Sequence, residues 1–172
     1  MKTTKTLFLV VMVFLMTQID VKAQAAYEMS GGLRAAWGVS LTGKKFINDN
    51  AAIEGILNYR RWGYFTFNYN RITLSALYEY HVSLAEDLDL PGLSYYYGGG
   101  LFVGRYGGDF GDIGDFDGGA TYAGLLGVIG LDYAFEDLPI NVSVDWMPGI
   151  ALSGYGNGFA GESGGVAIRY IF

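Results

Sequence analysis

A chain of 172 residues that contains no cysteine can form neither a disulfide nor a thiolate metal site, and it cannot be anchored as a lipoprotein. Its formal net charge of −6 at pH 7 argues against nucleic acid as a partner. Hydrophobic residues make up 51% of the sequence, but beyond the N-terminal segment no apolar run reaches the roughly 18 residues of a spanning helix, which favours strands.

The N-terminal segment predicts a cleaved signal peptide. Two lysines precede an apolar run from Leu7 to Met16, which is too short to span a membrane. A true membrane helix is disfavoured because polar residues soon interrupt this run, namely Gln18, Asp20 and Lys22. We place cleavage after Ala23, with Ala25 as the alternative. Residues 1–23 are then the signal peptide, and residues 24–172, with a net charge of −8, have the length of one domain.

Alternation of apolar with small or polar residues predicts strands that turn one face toward lipid. Two less regular strands fit between Tyr27 and Ile47. Their inward residues are Arg34 in the first strand and Ser40, Thr42 and Lys44 in the second. In the third strand Ile53, Gly55, Leu57 and Tyr59 point outward, opposite Glu54, Ile56, Asn58 and Arg60.

The fourth and fifth strands alternate in the same way. The outward residues of the fourth are Ile72, Leu74, Ala76, Tyr78, Tyr80 and Val82, and its inward residues are Thr73, Ser75, Leu77, Glu79, His81 and Ser83. The outward residues of the fifth are Tyr95, Tyr97, Leu101 and Val103, and its inward residues are Ser94, Tyr96, Gly98, Gly100 and Phe102.

Three further strands complete a set of eight. Their outward residues are Leu125, Ile129, Leu131, Tyr133 and Phe135, then Val142, Val144, Trp146 and Ile150, and last Val166, Ile168, Tyr170 and Phe172. Pro148 removes one ladder hydrogen bond, so we expect a bulge or bend there. The alternating strand that ends in Phe172 resembles the outer-membrane assembly signal, and it is the most specific motif in the sequence.

Short and long connections alternate between these strands. The short ones are residues 48–50, 85–92 and 136–139, and the long ones are residues 61–71, 105–118 and 153–163. Outer-membrane barrels place short turns in the periplasm and long loops outside. With a periplasmic N-terminus, this sorting predicts that residues 24–172 form one outer-membrane β-barrel domain. Its predicted fold is an eight-stranded antiparallel up-and-down transmembrane β-barrel.

The inward faces carry charges of both signs: Arg34, Lys44, Arg60 and Arg169 against Glu28, Glu54, Glu79, Asp132 and Asp145. Because an eight-stranded barrel is only wide enough for side chains, these charges must pair, and we expect a packed ionic core rather than a channel. The alternative is that about a third of them lie near strand ends in water. Glycines at positions 98–100, 124, 127 and 130 would leave room for neighbouring Tyr and Arg side chains. Outward aromatic residues would form interfacial girdles: Tyr78, Tyr80, Tyr95, Tyr97, Tyr133, Trp146, Tyr170 and Phe172.

These segments resemble a family, the small eight-stranded outer-membrane β-barrel proteins of Gram-negative bacteria. The matching segments are 48–55 (NDNAAIEG), 77–81 (LYEYH), 96–100 (YYGGG), 127–133 (GVIGLDY), 143–148 (SVDWMP) and 168–172 (IRYIF). The resemblance implies this fold and an outer-membrane location. It implies little about mechanism, because most family members have no assigned biochemical role. Relative to the shorter loop expected there, residues 64–71 look like an addition.

One alternative function is an enzyme that modifies lipid A or phospholipid. The segment His81-Val82-Ser83 resembles the His-x-Ser pair of outer-membrane lipid A deacylases, and Glu79 or Glu86 could orient the histidine. The strand phase turns His81 inward near the periplasmic end, however, which favours an ordinary lumen or rim histidine. Residues 161–165 match a nucleophile-elbow string, but they precede a strand rather than a helix, so we interpret the match as chance.

Two further alternatives concern the loops and the lumen. Four aspartates could offer oxygen ligands to Ca²⁺, although their spacing matches no EF-hand and a solvated loop is favoured: Asp109, Asp112, Asp115 and Asp117. Loop aromatics could contact a partner or lipopolysaccharide: Trp62, Tyr64, Phe65, Phe67, Phe110, Phe116 and Phe159. A small-solute porin is the remaining alternative.

We therefore expect a structural or surface-interaction protein of the outer membrane without catalysis. No catalytic residue, cofactor or metal site is assigned. The expected partners are outer-membrane lipids and lipopolysaccharide, the barrel-assembly machinery through the C-terminal strand, and an extracellular ligand that the sequence does not identify.

Overall fold

The computed structural model describes residues 27–64, 67–108, 121–154, 158–160 and 164–172. The elements in these ranges are β1 (Met29–Ala36), β2 (Gly38–Phe46), β3 (Ala51–Tyr64), β4 (Phe67–Ser83), α1 (Ala85–Leu88), β5 (Leu93–Gly108), β6 (Thr121–Ala134), β7 (Ile140–Trp146), β8 (Gly149–Ser153), β9 (Gly158–Ala160) and β10 (Gly164–Ile171). Of the helices in these ranges, none has the length and apolar character needed to cross a membrane.

The strands close into a barrel of eight. Each of β1 to β5 pairs antiparallel with the next strand along the chain. Both β7 and β8 pair with β6 and act as one barrel strand, while β9 and β10 pair with β8 and β7 and act as the next. Pairing of β10 with β1 closes the ring. The predicted fold class, an eight-stranded antiparallel up-and-down β-barrel, is confirmed.

The predicted faces are also confirmed. In β10 the residues Gly165, Ala167 and Arg169 are buried inside the barrel, while Val166, Ile168 and Tyr170 are exposed on the outer surface. The same alternation holds in the other predicted strands. Val82 is an exception, since it lies buried at the end of β4, where the chain turns into α1.

The outer surface is apolar around several adjacent strands. Six exposed residues lie directly opposite one another across β10, β1, β2, β3, β4 and β5, and we call them the outer apolar row: Ile168, Leu33, Leu41, Leu57, Leu74 and Val103. A continuous apolar strip of this kind is unusual on the surface of a monomeric water-soluble protein.

The predicted girdle aromatics all lie on the outer face. Seven of the eight lie within about five residues of the strand ends that are nearest the chain termini. The eighth, Trp146, lies at the other end of its strand, β7. Ring centroids are 5.8 Å apart for Tyr80 and Tyr97 and 5.3 Å apart for Tyr170 and Phe172. The aromatic residues therefore form one clear girdle, at the end that we call the terminal end. The opposite end is the distal end.

Short turns cover the terminal end, as predicted. The side-chain oxygen of Asn48 accepts hydrogen bonds from the backbone amides of Asn50 and Ala51 at 3.0 and 2.8 Å, which fixes the β2–β3 turn. The β4–β5 connection contains α1, which ends where Asp89 adopts a left-handed conformation with φ 54°. The β6–β7 turn closes with a hydrogen bond from the Phe135 amide to the Ile140 carbonyl.

The long connection predicted over residues 61–71 is wrong. Strand β3 continues to Tyr64 and β4 begins at Phe67, with Arg61 paired to Asn70. Alternation continues in this hairpin, but its outward positions hold Arg61, Gly63 and Asn70 instead of apolar residues, so a search for an apolar lipid-facing side does not mark it as strand. In the same way β5 extends to Gly108, into the predicted loop 105–118, and residues 109–120 lie outside the described residues.

Pro148 interrupts the strand without shifting its register. On both sides of Pro148 the pairing with β6 follows the same offset, from Ile129 opposite Trp146 to Gly124 opposite Ala151. The Pro148 carbonyl still accepts a hydrogen bond from the Gly127 amide. The register shift lies further on, between Ala123 and Gly124. The predicted irregularity is therefore a break in the strand at Pro148, and the bulge lies nearer the distal end.

Candidate functional site in the barrel interior

Lys44 is the centre of a buried ionic layer in the terminal half of the barrel. Its ammonium nitrogen lies 2.8 Å from Glu79 Oε2, 3.3 Å from Glu54 Oε2 and 3.3 Å from Asp132 Oδ2. The nitrogen also stands 4.2 Å from the ring centre of Tyr96. These groups come from β2, β3, β4, β5 and β6, so one side chain ties five of the eight barrel strands together.

Arg169 extends this layer to the last strand. Its guanidinium binds Glu54 Oε1 at 2.6 Å, Ser143 Oγ at 2.8 Å and Asn141 Oδ1 at 3.1 Å, and its Nε donates to Thr42 Oγ1 at 3.3 Å. A guanidinium with nearly all its donors used and a carboxylate held from two sides form the kind of satisfied network that lets charges stay buried.

A second ion pair lies above the first layer. Arg34 and Asp145 form a bidentate pair, and the Tyr96 hydroxyl donates to Asp145 Oδ2 at 3.3 Å. Glycines make the space for these side chains. A Cβ atom on Gly130 would lie 2.7 Å from Cζ of Tyr96, and one on Gly165 would collide with the Arg34 guanidinium. The prediction that strand glycines accommodate neighbouring Tyr and Arg side chains therefore holds at Gly130. It is wrong at Gly98 and Gly100, where a Cβ atom would meet the backbone of β4, and Gly165 adds a position that the sequence did not mark.

Seven of the nine charges predicted to point inward form these ion pairs. The other two are corrections. Glu28 is exposed before β1 begins. Arg60 keeps the predicted phase but lies toward the distal end, where its guanidinium stands 4.9 Å from the ring centre of Trp37 and 4.4 Å from that of Trp62. Glu28 precedes the first strand, so the pleat does not set its direction, and Arg60 lies just beyond the last residue of β3 that pairs with β2, next to Trp37 in the β1–β2 turn.

An apolar cluster closes the terminal end below the ionic layer. It consists of Tyr27, Phe46, Ala52 and Ala134, with Ile171 packed against it. The Tyr27 and Phe46 rings meet edge to face with centroids 5.1 Å apart. Burial raises the pKa of the Tyr27 phenol well above its ordinary value, so the hydroxyl keeps its proton and donates to Asp132 Oδ2 at 3.2 Å. Tyr27 precedes the first strand, and sequence alternation gave no signal for this role.

His81 is part of the packed interior and does not contact Ser83. Its Nε2 lies 3.1 Å from Glu79 Oε2 and its Nδ1 lies 3.4 Å from Ser94 Oγ. Its ring stacks on Tyr96 with centroids 4.8 Å apart and an interplanar angle of 13°. Ser83 Oγ instead accepts a hydrogen bond from the Ala85 amide at 3.2 Å. The two residues of the predicted His81–Ser83 pair therefore have separate roles. His81 packs inside the lumen, and Ser83 binds the backbone at the start of α1.

The distal half of the interior contains a pocket of about 520 Å³, part of it open to solvent. We call it the distal pocket and define it by its lining residues: Arg34, Ile56, Asn58, Arg71, Thr73, Ser75, Phe102, Tyr122, Leu126 and Met147. Arg71 is buried here, although the sequence interpretation placed it at the end of a loop. Arg71 alternates in step with the inward residues Thr73 and Ser75, and this pattern is the sequence signal that predicts an inward side chain at position 71.

The predicted loop sites are mostly beyond what the structure describes. The aspartates of residues 109–117, the string at 161–165 except for its last two glycines, and all the loop aromatics other than Trp62 have no described side chain. Trp62 is exposed. Within the described ranges, no three His, Asp or Glu side chains are grouped so that they could hold a metal ion.

Comparisons with known proteins show likeness in fold. The structure is similar to the crystal structure of the N-terminal β-barrel domain of Pseudomonas aeruginosa OprF, with a TM-score of 0.54, 16% sequence identity, and coverage of 87% of this chain and 98% of that one. No family model matches the sequence, and no curated protein matches it. At this identity the similarity shows the fold alone.

Proposed function

We propose that this protein is an integral outer-membrane β-barrel with a plugged polar lumen and a structural or surface-interaction role without catalysis. The observation that carries this proposal is the outer apolar row. Six large apolar side chains around six adjacent strands face outward, where water would have to solvate them. A lipid bilayer removes that cost because acyl chains surround such a surface.

The backbone supports the same conclusion. A closed barrel satisfies its ladder hydrogen bonds from strand to strand and leaves no edge, which is the condition for crossing a hydrocarbon layer with strands. The fold likeness to the barrel of OprF, an outer-membrane protein, agrees with this location. The predicted signal peptide would supply the export route.

The interior supports a plugged lumen. Lys44 and Arg169 occupy the terminal half together with three carboxylates, and Tyr27 and Phe46 lie beneath them. Paired, fully buried charges hold one another in place, since separating them would leave an uncompensated charge in the barrel. Water and ions therefore have no continuous path through this half.

A non-catalytic role is favoured by the surroundings of His81. Both faces of its ring are covered, by Tyr96 and by Phe46, and only 3% of the residue is exposed. A catalytic general base and its nucleophile must both be accessible to the substrate. The distal pocket does not include His81, Ser83 or Ser94.

Two kinds of partner belong to the proposal. The outer apolar row suits outer-membrane lipids and, at the distal end, lipopolysaccharide. The C-terminal strand ending in Phe172 suits recognition by the barrel-assembly machinery.

Arginine on the outer apolar row tests whether lipid surrounds the barrel. Leu41 is 59% exposed in the middle of this row, so in water Leu41→Arg would be almost neutral. In a bilayer it should destabilise the folded protein by about 2–4 kcal/mol. Urea unfolding in phospholipid vesicles measures the difference.

The matched control is Leu138→Arg. Leu138 is 52% exposed, much like Leu41, but it lies in the β6–β7 turn beyond the strands. It should cost about 0–1 kcal/mol. Equal effects of the two substitutions would remove the proposal that the barrel is embedded in lipid.

A further inference from the structure

The distal pocket has walls of two kinds. Asn58, Thr73 and Ser75 supply amide and hydroxyl groups from β3 and β4. Phe102, Leu126 and Met147 supply apolar surface from β5, β6 and the residue after β7. A lining with one polar and one apolar side matches a small molecule that has the same division.

Asn58 contributes an acceptor that the protein does not use. Its side-chain nitrogen donates to Ser40 Oγ at 2.9 Å. Its Oδ1 atom is buried, and no described residue donates a hydrogen bond to it. Because burying an acceptor without a donor is unfavourable, an O–H or N–H group that reaches this oxygen stabilises the site.

The pocket ends blindly inside the barrel. The Arg34–Asp145 pair forms part of its floor, and the layer around Lys44 lies beneath. The volume of about 520 Å³ includes space that is open to solvent, so it sets an upper limit on the size of an occupant. Water alone would donate a hydrogen bond to Asn58 Oδ1, but it would make no favourable contact with the apolar wall. Apolar cavity surfaces favour apolar occupants over water.

We infer that the distal pocket binds a small amphipathic molecule, with an aromatic or short aliphatic body on Phe102, Leu126 and Met147 and an O–H or N–H donor on Asn58. The inference goes beyond the proposed function, since it depends on the interior of the barrel and not on the bilayer around it. Indole is a suitable probe because it joins a flat apolar body to one N–H donor.

The chain offers its own reporter for this test. Beyond residue 23 it has two methionines, Met29 and Met147. Met147 lines the pocket, whereas Met29 is exposed at the terminal end. In protein labelled with ¹³C at the methionine methyl groups, indole should shift the Met147 signal saturably and leave Met29 nearly unchanged. Parallel or non-saturating shifts of both signals would mean partition into detergent and would overturn the inference.

Filling the pocket provides the matched comparison. Leu126→Trp should abolish the Met147 response, while Leu125→Trp, one residue along but on the outer face, should preserve it. Ser75→Leu fills the pocket from the polar wall and should act like Leu126→Trp. Folding of each variant is checked by its heat-dependent migration in gels. If folded variants with a filled pocket respond as the wild type does, indole binds elsewhere and the inference fails.

The role of Asn58 is tested separately. Asn58→Ala should weaken indole binding about fivefold, the usual effect of losing one neutral hydrogen bond. Naphthalene has no donor, so its binding should be the same in the wild type and in Asn58→Ala. If indole bound the wild type and Asn58→Ala with equal affinity, Asn58 would not be part of the binding site.

Discussion

Residues in the interior of this barrel are arranged by charge compensation. Lys44 faces Glu54, Glu79 and Asp132 at 2.8 to 3.3 Å, and its side chain is fully buried. Removing such charges from water is costly, and the cost is offset only while every partner is present. Loss of one member therefore costs more than the pair contributes, because the remaining charges stay buried without compensation.

Lys44→Met tests this dependence. The substitution keeps the length and apolar stem of the side chain but leaves three buried carboxylates without their shared cation. We expect a loss of about 3–5 kcal/mol in the free energy of unfolding, measured by urea denaturation in phospholipid vesicles.

Lys45→Met is the control, since Lys45 is the next residue and is exposed. It should change the free energy by no more than about 0.5 kcal/mol. A loss at Lys44 as small as that at Lys45 would contradict the ionic layer.

Among the elements, β10 closes the barrel. It pairs with β1 on one side and β7 on the other, and its inward Arg169 binds groups on β2, β3 and β7. Phe172 follows the strand, where its amide donates to the Met29 carbonyl at 3.0 Å and its ring meets Tyr170. Phe172 therefore contributes one backbone hydrogen bond and one aromatic contact to a strand that many other contacts already hold.

Deletion of Phe172 separates assembly from stability. If the barrel-assembly machinery recognises this ending, the variant should reach the outer membrane of cells at a level at least several-fold lower than the wild type. In purified form it should refold into detergent nearly as well, since it loses about one hydrogen bond. Quantitative blots of outer-membrane fractions and gel-shift refolding assays measure the two effects.

Ile171, with Phe172 retained, provides a control. Its side chain points inward and packs on the cluster at the terminal end, so Ile171→Ala should weaken refolding more than Phe172 deletion does. A Phe172 deletion that reached wild-type levels in cells would contradict recognition through this residue.

The whole molecule is a layered cylinder. From the terminal end it has an apolar floor, the ionic layer, a second apolar cluster that contains Ile56, Leu77 and Val128, and then the distal pocket. The strands β4 and β5 are the longest, with 17 and 16 residues, so the wall is taller on their side of the barrel. This order places the distal pocket above a base of packed side chains.

The layered interior predicts that the protein does not conduct ions steadily. Liposomes that contain the folded protein should release potassium no faster than empty liposomes, because in the proposed plugged lumen the apolar floor and the ionic layer leave ions no path. Folding is verified by heat-dependent gel migration of the same liposomes. Steady potassium release above the level of empty liposomes would favour the porin alternative.

The amino-acid sequence by itself determined the strands, their two faces and the closed barrel, because two-residue alternation is a local property of the pleated chain. It also marked seven interior charges correctly. It failed over residues 61–71, where alternation continues but the outward positions hold Arg61, Gly63 and Asn70 instead of the apolar residues of a lipid-facing strand. Which charges pair, and that Ser94 rather than Ser83 contacts His81, only the tertiary structure decided. Strand register brings residues far apart in the chain together, as with Lys44 and Asp132 or Arg34 and Asp145, and the hydrophobic pattern of one strand does not encode that distance. The same holds for the distal pocket, whose walls come from strands on different sides of the barrel.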